Sequence, residues 1–431
     1  MGIIKTAQNN KKFLLLIQEE EVPEQFNSYM FLIMEVILLA KKLNRVFVLP
    51  YIYSQPRNSA LCETGELDPK KIILGTRIDP LESYFNINAL AEYIDVITLE
   101  DFAKISTGKL SPLLCFQNKY SDTNTVDAYG FKFGLDKKLI FDKKTKIFEI
   151  TDELSRIEEP FVGISGCDRR NNFDKNCPNW HNRPDLDYWG VYKALVHSEH
   201  LMTAANDFIK ANLNGRYIGV HWRRGDFQAN FGLGHIRKDA SHEKEMKKRI
   251  NHYLIKLIQK VMKKQKINKV FLATNSENKQ HLDFIKQKIP FIRYQSSGDW
   301  RDHQFESVIE QIICMKSDFF IASDSGENIR ITKNVPKYGH MPLRIDLGYS
   351  CYERSSSFSR RIIDSRKLLS KEKGENFIFI KNGTGNDNIP LWLADVLLSI
   401  KYWTSKIILK TRPLRNRLRI NKYLINKIYN R

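Results

Sequence analysis

No two of the six cysteines, Cys62, Cys115, Cys167, Cys177, Cys314 and Cys351, stand in a Cys-x-x-Cys pair. That spacing argues against a structural zinc site and against a dithiol redox motif. A secretory leader is not expected either. The apolar run at 13–17 is five residues long, and Glu19, Glu20 and Glu21 follow where small residues would stand. The thiols therefore read as reduced and the protein as cytoplasmic. No stretch qualifies as a membrane span either: 391–409 is rich in Leu, Ile, Val and Trp but is broken by Asp395, Lys401 and Lys406. Acidic residues are absent from 401–431, which holds ten Lys and Arg, so the formal charge of +20 falls to +10 for the preceding 400 residues. A moderately basic body suits an anionic small ligand. The tail alternates basic residues with Leu, Ile and Tyr, the composition of a segment lying on an anionic membrane surface; a helix packed on the body with a frayed basic end is the other reading.

What is present is enough apolar residue, 42% of 431, for two domains. The expected division is 1–165, an inter-domain loop at 166–190, a second domain at 191–345 and a C-terminal extension at 346–431. Apolar runs at 13–17 and 45–50 flank a helix at 29–43 that is apolar nearly all round. Strand, helix and strand within so few residues make a βαβ unit and a parallel sheet. Segment 103–160 reads as strands and loops finishing the first domain, and 161–165 as a buried strand. Further on, the pattern predicts a helix around 192–212, a strand at 217–220, a basic amphipathic helix at 243–265, a strand from 269, a helix at 305–315 and a strand at 318–322.

The most informative string is Tyr-Ile-Gly-Val-His-Trp-Arg-Arg-Gly-Asp-Phe at 217–227. A short apolar strand ends in His221, Arg223, Arg224 and Asp226, and the carboxyl ends of strands in an open α/β sheet are where ligands bind. Two guanidinium forks suit the oxygens of a diphosphate, and Asp226 would hold one of them. A solvated charged turn would be spelled the same way. Asp185-Leu186-Asp187 spells an Asp-x-Asp motif but follows no apolar strand, and reads as a solvated turn.

His-x-Arg-Arg-x-Asp at a strand end resembles the signature of the GDP-fucose-dependent fucosyltransferases, the superfamily of the protein O-fucosyltransferases, α1,6-fucosyltransferases and nodulation fucosyltransferases. Pro23-Glu24-Gln25-Phe26-Asn27 is similar to the first-loop Pro-Glu-Gly-Phe-Asn run of the O-fucosyltransferases, and the Val-Phe-Leu-Ala-Thr-Asn string ending at Asn275 to their Val-Phe-Leu-Ala-Thr-Asp. The resemblance covers about 12–345 and implies a GT-B fold, α/β, with two Rossmann-like domains facing across a cleft. It implies inverting, metal-independent transfer of a sugar, in this family fucose from GDP-fucose, to a hydroxyl of a glycan or protein. Arg223 would contact the donor diphosphate with His221 and Arg224 beside it. Glu24 would be the catalytic base, with Asp226 next in line. Phe26, Asn27, Thr274, Asn275, Glu310, Ser323, Ser325 and Gly326 would line the donor site. The 323–328 loop departs from the family's Ser-Thr-Phe-Ser form and lacks its aromatic residue. That departure also allows a non-catalytic relative that binds a glycan or a partner. The basic stretches at 241–269 and 401–431 raise nucleic-acid binding, but an ordered set of strand-end motifs is not what that function needs, so no nucleic-acid partner is expected.

Overall fold

Five apolar residues in a row, Phe13–Ile17, form β1, with every side chain buried. A strand covered on both faces reads as a continuous apolar run instead of alternating. Our computed structural model describes residues 11–17, 26–54, 77–116, 123–142, 145, 151–165, 187–222, 254–256, 258–274, 279–295, 303–322 and 357–373. Helix α1 (Phe26–Lys42) begins three residues before the predicted start and carries a nearly unbroken run of buried side chains up to Ala40. Asn44, in the left-handed region at φ 52°, turns the chain into β2 (Val46–Val48), which pairs parallel to β1. The βαβ unit is therefore present. Arg45 fastens its lower edge: the buried guanidinium donates to the carbonyls of Ile157 at 2.5 Å and Glu159 at 2.9 Å, just ahead of the strand that flanks β1.

The chain continues through β3 (Tyr51–Ser54) and β4 (Arg77–Pro80), which pair antiparallel, then α2 (Ile87–Ala91), β5 (Val96–Ile97) and α3 (Leu99–Ile105). Next come β6 (Lys109–Leu110), β7 (Leu113–Cys115), β8 (Thr125–Ala128), β9 (Phe131–Leu135), β10 (Lys138–Ile140), α4 (Thr151–Ser155) and β11 (Phe161–Ser165). Six of these strands form a wholly parallel sheet in the order β10-β7-β11-β1-β2-β5. The run at 161–165 thus lies in the middle of the sheet, directly beside β1.

Where one helix was expected around 192–212 there are two, α5 (Tyr188–Ala194) and α6 (Glu199–Phe208), the second extended by a wider turn over Ile209–Leu213. The break has a tertiary cause. Val196 accepts the amide of Asn86, Ser198 donates its amide to Tyr84, and His197 bridges to Phe85, so the chain leaves the helix to pair with another segment.

A second parallel sheet follows, from β12 (Ile218–Trp222), β13 (Val270–Thr274), α7 (Lys279–Lys286), β14 (Phe291–Ile292), α8 (His303–Lys316) and β15 (Phe319–Ala322). Its order is β14-β13-β12-β15. The chain moves outward from β12 to β14 and then returns through α8 to the other side of β12, so the order reverses between β12 and β15. A crevice at the carboxyl ends of these two strands is the usual ligand position in such a sheet. Gly219 lets α8 lie close on β12: a Cβ there would stand 2.8 Å from Ser317 Oγ and 3.2 Å from the Cys314 Cα.

The extension beyond 345 contains α9 (Ser357–Lys373), a helix the sequence reading did not anticipate. It packs against α8, α1 and α5, and its Ile362 belongs to the same buried cluster as Leu14 of β1 and Phe271 of β13. Arg366 of α9 donates to the Met315 carbonyl at 2.9 Å, to Asp318 at 3.0 Å and to Ser317, closing the carboxyl end of α8 where backbone acceptors have no helical partner. The 391–409 and 401–431 stretches lie outside the described residues, and among the described residues no helix is long and apolar enough to cross a membrane.

His197, at the α5–α6 break, gives this packing a pH dependence. Its ring stacks on Phe85 at 5.2 Å, and its Nδ1 is shielded from solvent without a hydrogen-bond partner among the described residues. Burial, with the Arg361 guanidinium nearby, pushes its pKa down from 6.5 to about 3. Between those values the unfolded chain holds a proton that the folded chain refuses. Stability from this group is thus full above about pH 6.5 and is lost as the pH falls toward 3. Part of the residue reaches solvent, so we expect about 1–2 kcal/mol, a fall of about 2–5 °C in melting temperature between pH 7 and pH 4.5. His197→Gln should flatten that slope; an unchanged slope would assign it to other groups.

Candidate donor site at the end of the second sheet

Successive residues of a strand face opposite sides. In β12, Val220 and Trp222 enter the core shared with Leu254 and Ile258, while His221 turns to the other side, toward α9. There its Nδ1 is 2.7 Å from Ser359 Oγ, and its ring stacks on Phe358 with centroids 4.2 Å apart. His221 and Ser359 are both buried. The predicted strand at 217–220 therefore starts one residue later and runs through the first two residues of the motif.

The three strand ends are level: His221 lies opposite Ala273 and Ala322, and Trp222 opposite Thr274. Thr274 donates its hydroxyl to the Trp222 carbonyl at 2.6 Å and its own carbonyl accepts from Arg293 Nη2 at 3.3 Å. The threonine thus locks two strand ends together. Arg223, Asn275 and Ser323 are the residues next in the chain after these three ends. They lie outside the described residues, as do Glu24, Arg224, Asp226, Ser325, Gly326 and Asp185.

Asn27, at the start of α1, is buried, and its Oδ1 accepts from Gln311 Nε2 of α8 at 2.6 Å. The same nitrogen donates to the carbonyl of Phe358 at 3.2 Å. The first-loop side of the chain, α8 and the start of α9 are joined by one amide. Phe26 is taken up in an aromatic row, 4.9 Å from Tyr84, which is 4.9 Å from Phe305. Glu310 is buried on α8 near Cys314, whose thiol is pushed well up, first by burial and then by that carboxylate. Asp187 is exposed, as expected, and also caps α5: its Oδ1 accepts the Gly190 amide at 3.0 Å, and a Cβ on Gly190 would collide with the carboxylate.

A sequence model of the family described as GDP-fucose protein O-fucosyltransferase matches residues 25–338, most of the chain. The chain belongs to this family. GDP-fucose protein O-fucosyltransferase 2 of Homo sapiens is 24% identical over 168 residues, and that of Caenorhabditis elegans 24% over 170. Each alignment takes in 32% of this chain and 36% of the relative. Crystal structures of POFUT1 in complex with GDP and with GDP-fucose superpose with a TM-score of 0.51, at 16% identity, over 84% of this chain and 96% of theirs. The fold is therefore that of the O-fucosyltransferases: α/β, built on parallel sheets.

The family match ends before α9, yet α9 carries the residues that meet His221. Ser356-Ser357-Phe358-Ser359 has the Ser-x-Phe-Ser form that 323–328 lacks. It does not follow β15 directly: residues 323–355 intervene, and it differs from the family's Ser-Thr-Phe-Ser at its second position.

A solvent-open cavity of about 550 Å³ lies one strand away, between α7 and the residues after β14, lined among others by Lys279, Asp283, Lys286, Arg293 and Glu306. It touches the site through the Arg293 bond to Thr274, but the converging segments meet at β12 and not there.

Proposed function

We propose that this chain is an inverting, metal-independent fucosyltransferase that moves fucose from GDP-fucose to a hydroxyl of a glycan or protein, with two Rossmann-like domains of the GT-B arrangement and the donor between them. The observation that carries the reading is the meeting of His221 with Phe358 and Ser359 at the strand-order reversal of the second sheet. Three family signatures far apart in sequence converge there. In this reading Phe358 supplies the aromatic face for the base, and Ser359 and neighbouring amides face the diphosphate. Arg223, next after β12, spreads its fork over the charge that gathers on the leaving GDP. Glu24, ahead of α1, takes the proton from the acceptor hydroxyl as the new bond to the sugar forms. A non-catalytic relative is favoured by the departure of 323–328 from the family's form; 356–359 offers an aromatic residue flanked by serines elsewhere in the chain and supports the catalytic reading instead.

Calorimetry with GDP, UDP and ADP, joined to release of GDP from GDP-fucose without acceptor, tests the proposal. GDP should bind at least about tenfold tighter than the others, a difference of about 1.4 kcal/mol, and slow hydrolysis should survive EDTA. Binding of no nucleotide would end the donor reading. Hydrolysis lost on chelation and restored by manganese would end the metal-free mechanism and return attention to Asp185.

A further inference from the structure

The amide of Gln311 is fully buried on α8 and holds two acceptors at once, Asn27 Oδ1 at 2.6 Å and the Phe358 carbonyl at 3.2 Å. A backbone carbonyl can only accept, so the half of the Gln311 amide facing Phe358 must be the nitrogen. The atom of Asn27 that meets that nitrogen must then be its oxygen. Chemistry therefore fixes both amide orientations, and the Asn27 NH2 is the half of that side chain not committed to Gln311. The other end of the Gln311 amide, Oε1, makes no hydrogen bond among the described residues. A buried acceptor in that condition costs about 1–3 kcal/mol. An apolar side chain of the same length would fill the space without that cost, so packing alone does not account for a glutamine here.

What the glutamine joins is informative. Asn27 directly follows the Pro-Glu-Gln-Phe string at 23–26, and the Phe358 carbonyl directly precedes Ser359, whose hydroxyl meets His221. Neither partner is near Gln311 in sequence; Asn27 is 284 residues away. One side chain thus sets the first-loop segment and the Ser-Phe-Ser segment relative to each other.

We infer that Gln311 is a positioning residue for the donor site: it orients the Asn27 amide and holds the start of α1 against the start of α9, so that both walls are in place before the donor arrives. The inference rests on the donor reading above for its ligand, but not for its geometry. Without the bond, part of the donor's binding free energy goes into assembling the walls, so affinity falls more than turnover at saturation.

Gln311→Met, Asn27→Ala and the double variant of the full chain test this. Gln311→Met should raise the GDP dissociation constant and the GDP-fucose KM about tenfold while kcat falls less than about threefold. In the Asn27→Ala background it should add little, because most of its action passes through Asn27. Unchanged GDP affinity in a folded Gln311→Met, or full additivity with Asn27→Ala, would overturn the inference, as would a fall in kcat and melting temperature with KM unmoved. If wild-type protein binds no GDP, the donor reading fails, and hydrogen exchange decides the clasp by itself. Amides at the start of α1 and at the start of α9 should exchange faster together in Gln311→Met, and loosening of one end or neither would overturn it.

Discussion

Replacement of Arg223 by lysine is expected to lower GDP-fucose turnover about a hundredfold in a protein that still folds, a loss of about 3 kcal/mol of transition-state stabilisation. A lysine keeps the charge, so an effect of this size would come from geometry: an ammonium cannot set two parallel N–H bonds on two phosphate oxygens, whereas a guanidinium can. The residue before it is well fixed. Trp222 is buried, and its carbonyl accepts the Thr274 hydroxyl at 2.6 Å. Arg224→Lys should be milder if that side chain pairs with Asp226, since it then needs charge more than a fork. Initial rates of donor hydrolysis, with a thermal melt to establish folding, check both. Near-normal rates in Arg223→Lys would take that arginine out of the mechanism, and an equal loss in the two variants would remove the assigned division of roles.

Much of the scaffold was legible because parallel sheets bury both faces of their strands. Runs such as 13–17 and 161–165 have no solvated side to interrupt them, and the helix between the first two strands shows the same uniform apolarity. The strand ends of the second sheet were legible for another reason: His221 and the residues after it change chemistry abruptly where the apolar run stops. What escaped was set by contacts between distant segments. The α5–α6 break comes from the bridge of His197 to Phe85, which local periodicity does not carry. Asp187 reads as a helix cap only after α5 is known to begin beside it. Helix α9 was hidden by its own buried charges. Arg361 and Asp364 sit among its apolar positions and look, in sequence, like a surface face, although they are 2% and 0% exposed.

Those two residues lead to the largest expected effect on stability. Arg361 reaches between Phe85 and Tyr192, its guanidinium carbon 5.6 Å from each ring centroid, and Asp364, one turn on, accepts the Tyr188 hydroxyl at 3.2 Å. Both charges act on Tyr192: burial first, then Asp364, drives its phenol up, while Arg361 pulls it down. Both charges are buried near the one phenol, and we expect each to offset part of the other's desolvation, so that removal of either leaves the other less compensated. Arg361→Ala and Asp364→Ala should each lower the unfolding free energy by about 3–5 kcal/mol, the arginine variant also leaving a cavity beside two aromatic rings. The paired change Arg361→Met with Asp364→Leu removes both charges while keeping volume, and should cost less than either single loss. Urea unfolding of the three variants reads this directly; a double loss equal to the sum would mean that the charges do not compensate one another. Arg361→Met alone should also raise the His197 pKa from about 3 toward its ordinary value, since the guanidinium is one of the causes that hold it down, and proton NMR titration would show the shift. Because the first turn of α9 carries Phe358 and Ser359, either single variant should weaken GDP binding in step with its loss of stability. Gln311→Met, which strands two acceptors, should cost less stability than either of them and weaken GDP binding by more than that loss accounts for, and that contrast separates holding α9 on the body from setting the walls of the proposed donor site.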